Sequence, residues 1–306
     1  MLSRAVWSRL RWNRGQRCED RFGVRRSLSV AIALAVVTGF GSIAPAWADD
    51  ELTVRSGDST TNIEVQLLSM NRDRFEYVQE VGNAQRQGST RTNQITSFEI
   101  DYGAFGRSEN LEDGKEALDD DDFTTAVELL STVLTQVPTG NRQTAIQRHL
   151  AIVHLIEAGA ALGQVEATLV LGSGTNTQEE SERGLQIATR YLDTLASEFP
   201  DSYFRLDLLA SAGYAALRNN APAVAEPLFE SLRQFDAARG SLGVGQVAYQ
   251  RGEWAAARAA LADAQGASQL QIAELATMLV ARCFLREGDA DQARPLLEQL
   301  VGEDGS

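Results

Sequence analysis

Histidine and cysteine are scarce in this chain, with two of each among 306 residues, and Lys115 is the single lysine among 28 basic residues. His149 and His154 stand five apart on a helical stretch, so they do not share a face as i, i+4 ligands would, and no cysteine-rich context accompanies them. That spacing excludes the common zinc arrangements and leaves two ordinary helix residues. Cys18 falls in a segment expected to be removed, which leaves Cys283 alone and excludes an intramolecular disulfide. Inside an apolar helical pattern, Cys283 reads as a small buried hydrophobe and not as a reactive thiol. Also missing are a Gly-x-Ser-x-Gly turn and any other pairing of nucleophile with base. Asp119-Asp120-Asp121-Asp122 lacks the alternation and central glycine of a calcium loop. It reads as a solvated turn whose last aspartate caps the next helix. Gly172-Ser173-Gly174 is followed by no Gly-Lys-Ser/Thr and is read as a flexible loop. No enzyme, cofactor or metal ion is expected.

The formal charge is −14, unevenly spread: residues 1–48 carry +6 (eight Arg against Glu19 and Asp20), and the remaining 258 carry −20. An acidic balance of that size argues against nucleic acid or an anionic membrane as the main partner. Residues 28–40 (LSVAIALAVVTGF) are apolar, follow Arg25-Arg26 and precede Ala46-Trp47-Ala48. The run is too short for a spanning helix, and with small residues at the cleavage positions it reads as a secretory signal peptide over 1–48, cut near Ala48 before Asp49. The general secretory route is expected. Val24-Arg25-Arg26-Ser27-Leu28 is a loose match to a twin-arginine signal, and the long basic region leaves open a start codon further in. No cysteine sits at the cleavage site to carry a lipid anchor. The expectation is an exported chain, periplasmic or extracellular, with no membrane span after cleavage.

Beyond the signal the period is two. Asn62 to Leu67, Phe75 to Gln79 and Ile95 to Tyr102 alternate apolar and polar residues, with turn compositions at Asn71-Arg72-Asp73, Gly82-Asn83 and Gly88-Ser89-Thr90. This predicts a small antiparallel β-module over residues 49–104, too small to stand alone and so expected to pack on the adjoining helical region. From about residue 105 to 306 the period becomes helical, and the pattern divides into five helix pairs. Two stretches echo one another 36 residues apart: Glu253-Trp254-Ala255-Ala256-Ala257-Arg258-Ala259-Ala260-Leu261 and Asp289-Ala290-Asp291-Gln292-Ala293-Arg294-Pro295-Leu296-Leu297, each preceded by a glycine. A unit of that length that stops, turns and restarts marks a helical repeat. One such pair cannot bury its apolar face alone, whereas stacked pairs bury a continuous core.

These residues resemble the tetratricopeptide repeat family. The clearest copy has Gly245, Gly252, Trp254, Ala257 and Leu261; the last has Ala281, Gly288, Ala290, Ala293 and Leu297. The third has Gly213, Asn220, Ala225 and Phe229, the first Gly114, Phe123, Ala126, Leu130 and Pro138, and the second keeps only Ala188, Leu192 and Pro200. The fold class is therefore expected to be mainly α, a right-handed α-solenoid of about five such pairs preceded by the β-module. The resemblance implies a concave groove lined by the first helix of each pair, and the register turns Tyr214, Arg218, Gln246, Tyr249, Arg282 and Arg286 toward it, with Lys115 equivalent in the first pair. Arginine and tyrosine are enriched at interface hot spots, and a basic, aromatic groove in an acidic chain suits an extended acidic or C-terminal peptide. The same spacing also fits ordinary exposed positions on amphipathic helices. The Asn and Lys pairing of the carboxylate-clamp subfamily is missing, so that ligand is not carried over. The expected function is a non-catalytic interaction scaffold or adaptor of the bacterial envelope. Alternatives are a structural, self-associating protein (a homo-oligomer), or an accessory to a cell-wall enzyme with the β-module touching glycan.

Overall fold

The computed structural model describes residues 50–56, 59–81, 84–102, 107–141, 144–164 and 178–302. The expected signal segment and the Gly172-Ser173-Gly174 loop lie outside them. From Asp50 the chain forms five strands: β1 (Asp50–Ser56), β2 (Ser59–Met70), β3 (Arg74–Val81), β4 (Ala84–Arg91) and β5 (Ile95–Glu99). All pairings are antiparallel, in the order β4-β3-β2-β1-β5. Alternation in the sequence predicts β2, β3 and β5; β1 and β4 are additions. β4 carries little apolar alternation because it is an edge strand exposed over most of its length, held by its ladder to β3. Gly88, expected in a loop, stands in that ladder opposite Tyr77, and a Cβ there would meet the tyrosine ring at 2.7 Å. The ring thus covers bare backbone and offsets the glycine's weakness in a strand.

Ten helices complete the described chain: α1 (Glu109–Asp119), α2 (Phe123–Gln136), α3 (Ala145–Gln164), α4 (Gln178–Glu198), α5 (Arg205–Arg218), α6 (Pro222–Arg233), α7 (Ala237–Gln250), α8 (Trp254–Gln265), α9 (Leu270–Glu287) and α10 (Ala290–Gly302). Each packs on the next, and the first helices of successive pairs (α1, α3, α5, α7 and α9) also touch one another. That contact pattern makes the helical part an α-solenoid of five tetratricopeptide-like pairs.

Local chemistry sets the repeat register. Gly114, Gly213 and Gly245 sit where the first helix crosses the second, and a Cβ on them would approach Leu130 at 2.7 Å, Phe229 at 2.7 Å and Leu261 at 2.5 Å. The side chain filling each gap lies sixteen residues on, and Ala126, Ala225, Ala257 and Ala293, twelve residues after Gly114, Gly213, Gly245 and Ala281, are all fully buried. Within each of these four pairs the turn residue is left-handed: Asp121 (φ 64°), Asn220 (φ 53°), Gly252 (φ 80°) and Gly288 (φ 83°). Each donates its N–H to the carbonyl three residues back, and the next residue donates to the carbonyl five back, as in Gly252 to Tyr249 and Glu253 to Ala248. This is a helix C-terminus closed by an αL residue. Asp122 then accepts from the Thr125 N–H at 3.2 Å and Asp289 from the Gln292 N–H at 3.1 Å, each capping its helix. The expectation for Asp122 is met.

The second pair departs from the register for a physical reason. Gly159 of α3 and Gly184 of α4 bring two backbones together, and a Cβ on Gly159 would lie 2.8 Å from the Gly184 carbonyl oxygen. α3 is also buried along nearly its whole length, with no solvent-facing stripe. Its flanks meet α1, α2, α4 and α5, and β2 meets it as well.

The sheet is joined to the helices at the loop between α4 and α5. Arg72 N–H donates to the Asp201 carbonyl at 2.7 Å and Tyr203 N–H to the Met70 carbonyl at 3.1 Å. Phe75, Phe98, Tyr203 and Phe204 make edge-on ring contacts with centroids 5.2 to 6.2 Å apart. One apolar core runs from Leu52 in β1 to Val247 in α7, while separate smaller clusters hold the C-terminal pairs together.

Candidate functional site

The positions that the repeat register assigns to the first-helix face do not share one fate. In the first pair, Lys115 pairs with Asp119 at 2.5 Å and its ammonium lies 5.9 Å from the centre of the Tyr102 ring, just past β5. Tyr102 reaches on to α3, where its hydroxyl and His154 Nε2 are 2.8 Å apart, and His154 Nδ1 lies 2.6 Å from Glu157. Burial, with the Glu157 charge adding, raises the Tyr102 phenol well above its ordinary range. In pairs one and two this face is therefore covered by the sheet and the segment after it, and Lys115 is an intramolecular contact.

From α5 onward the described structure lays nothing over the face. Tyr214 is half-buried with its ring edge-on to Phe229, centroids 5.1 Å apart. Burial pushes its phenol up to about 12, opposed in part by Arg239. Gln246 is half-buried on α7; Arg218, Arg282 and Arg286 are exposed on α5 and α9. Tyr249 sits between the two last pairs, tilted against Trp254 at 5.0 Å and accepting a long bond of 3.4 Å from Arg286 Nε. Of the six residues only Tyr249 and Arg286 are joined by a hydrogen bond. The others are arrayed along successive helices.

Two registers organise this array, one and five residues after the small crossing residue. In the last three pairs they hold Tyr214, Gln246 and Arg282, then Arg218, Gln250 and Arg286, so three arginines and no acid. Acids beside the array are paired: Asp207 links α5 to α7 through Arg239 at 2.8 Å, and Glu287, next to Arg286 in sequence, pairs with Arg258 of α8. Gln250 bonds the Leu217 carbonyl and Asn220 Oδ1, both at 3.0 Å, which ties α7 back to the preceding turn.

Sequence reasoning missed two buried polar sites. Asp50, fully buried, accepts from Arg107 Nη1 at 2.8 Å, Arg107 Nη2 at 2.6 Å, Leu67 N at 2.9 Å and Asp101 N at 2.9 Å. One carboxylate thus clamps β1, β2, the segment after β5 and the approach to α1. No sequence signal marks it, because its partners are non-local. The second site lies in α3, where His149 contacts Ser202 Oγ at 2.8 Å and stacks on Phe199 at 4.5 Å. Burial, with His154 nearby, lowers its pKa to about 4. Two histidines and Glu157 within a helix that is otherwise apolar from Leu150 to Gly163 are a readable hint of such burial. Cys283 is buried, and burial raises its thiol pKa, which matches a packing role. Among the described residues no helix is long and apolar enough to cross a membrane.

No family model matches the sequence, and no curated protein matches it. Among solved structures, MamA from AMB-1 is similar at 15% identity over 65% of this chain and 100% of that one, with a TM-score of 0.44. A second crystal form of MamA gives 15% identity, 63% and 95% coverage and a TM-score of 0.40. A MamA variant gives 15%, 63% and 94% with a TM-score of 0.39.

Proposed function

We propose that the protein is a non-enzymatic interaction scaffold of the cell envelope, exported by its N-terminal signal, and that it holds an extended acidic segment of a partner protein along α5, α7 and α9. The observation that carries this reading is the row Tyr214, Arg218, Gln246, Tyr249, Arg282 and Arg286, free of acids in a chain that is −20 beyond residue 48. Guanidinium groups bind carboxylates through two parallel hydrogen bonds, and half-buried tyrosines add apolar area at small entropic cost. The β-module serves in this reading as a fixed cover over the first two pairs, confining the partner to the last three.

Fluorescence polarisation with Asp/Glu-rich and Lys/Arg-rich peptide libraries tests it. The acidic set should bind, with affinity falling as salt rises. Arg282→Ala combined with Arg286→Ala should weaken binding about tenfold or more, the loss of one or two charge-assisted bonds. Equal binding of both libraries, or an unchanged double variant, would remove the proposal.

A further inference from the structure

The last helix pair ends on an apolar surface that the repeat elsewhere keeps covered. Leu297 occupies the position held by Leu130, Phe229 and Leu261 in other pairs; those three are fully buried, whereas Leu297 is 37% exposed, with Leu285 at 49% and Val301 at 75% beside it. In the inner pairs the following pair's first helix packs over this side of the second helix. α10 has no such neighbour among the described residues. Leu285, Ala293, Arg294, Leu297, Glu298 and Val301 line one shallow depression there. The repeat geometry itself therefore says what shape of element fits: a helix laid alongside α10.

The polar groups of the depression say which helix. Arg294 and Glu298 stand one turn apart and cancel, so the patch is locally neutral in an acidic chain and selects no charged ligand. It is instead complementary to itself. Two α10 helices laid antiparallel about a two-fold axis near the middle of this face bring each Arg294 beside the other's Glu298, with the leucine and valine side chains between them. An isologous contact of this kind closes after two copies.

We propose that the protein forms a two-fold symmetric dimer through α10 and the end of α9, the second copy's α10 taking the place of the next repeat's first helix. This does not depend on the peptide-binding reading: neither Arg282 nor Arg286 lines the depression, so either proposal can fail alone.

Sedimentation velocity of the purified protein over a concentration series tests it. A reversible dimer is expected. Leu297→Glu with Val301→Glu should give a monomer whose helical circular dichroism and melting are unchanged. Arg294→Glu alone and Glu298→Arg alone should each raise the dissociation constant about tenfold or more by setting like charges together at two symmetric places. Arg294→Glu combined with Glu298→Arg should restore the dimer. A monomer at roughly 100 µM, well above the micromolar dissociation constants of modest interfaces, overturns the proposal. So does a dimer indifferent to all four variants, or a charge exchange that fails to recover what the single changes lost.

Discussion

His149 shows how one buried side chain writes a pH dependence into the whole chain. Its pKa is lowered to about 4 by burial, against an ordinary value near 6.5. Between those values the unfolded chain binds more protons than the folded one, so stability falls as pH falls. Up to about 3 kcal/mol should be lost between pH 6.5 and pH 4 from this group. Chemical denaturation across that window should show the slope, and His149→Gln should flatten it; an equal slope in the variant would reassign the effect to carboxylates. Asp50 acts at the same scale with a larger single consequence. Asp50→Asn leaves the Arg107 guanidinium buried without its counter-charge, a loss of about 3 kcal/mol or more. Denaturant midpoints should drop accordingly. The acidic overall charge gives no hint of this carboxylate, since one aspartate among 42 acidic residues looks like any other until its partners are placed.

At the scale of elements, the within-pair turns are the most regular feature of the fold. Gly252 at φ 80° and Asn220 at φ 53° occupy the same repeat position. Gly252→Ala puts a Cβ into the left-handed region and should cost about 1 kcal/mol, while Asn220→Gly relieves milder strain and should stabilise by a few tenths up to about 1 kcal/mol. Thermal melts of the two variants should move in opposite directions. These turns are legible in the sequence because glycine and asparagine announce their backbone, and so are the helix pairs, whose small crossing residues recur at fixed spacing. The strands are legible only where one face is buried. β4 lacks alternation because it is exposed over most of its length, and β1 offers only two apolar residues, Leu52 and Val54, in seven. For the candidate site the register places Tyr214, Arg218, Gln246, Tyr249, Arg282 and Arg286 on first helices, but it carries no information that Tyr102, just past β5, lies against Lys115. That contact joins separate elements, which no local period encodes.

At the scale of the molecule, the core is not uniform. The sheet and the first pairs share one continuous apolar cluster, whereas α8 to α10 draw on separate, smaller ones, and α10 exposes Leu297 and Val301. Opening free energies should therefore fall toward the C-terminus. Native-state hydrogen exchange should show α9 and α10 exchanging first and α3 last. Protection in α10 equal to that in α3 would refute this gradient, and a dimer through α10 would narrow it as concentration rises.

The recurrent left-handed turn also has a consequence for how such a chain can change length. Gly252 and Gly288 close their helices with the same two hydrogen bonds, and the residue after each, Glu253 or Asp289, accepts the first backbone bond of the next helix from the residue four on. Excising residues 253–288 would join Gly252 to Asp289 without altering the turn, and would set Leu297 over Gly245 where Leu261 now lies. Duplicating the same segment would add a pair by the same junction. The turn is a natural splice point, and the number of pairs is a quantity that insertion and deletion can count up or down while the cover at the other end stays fixed.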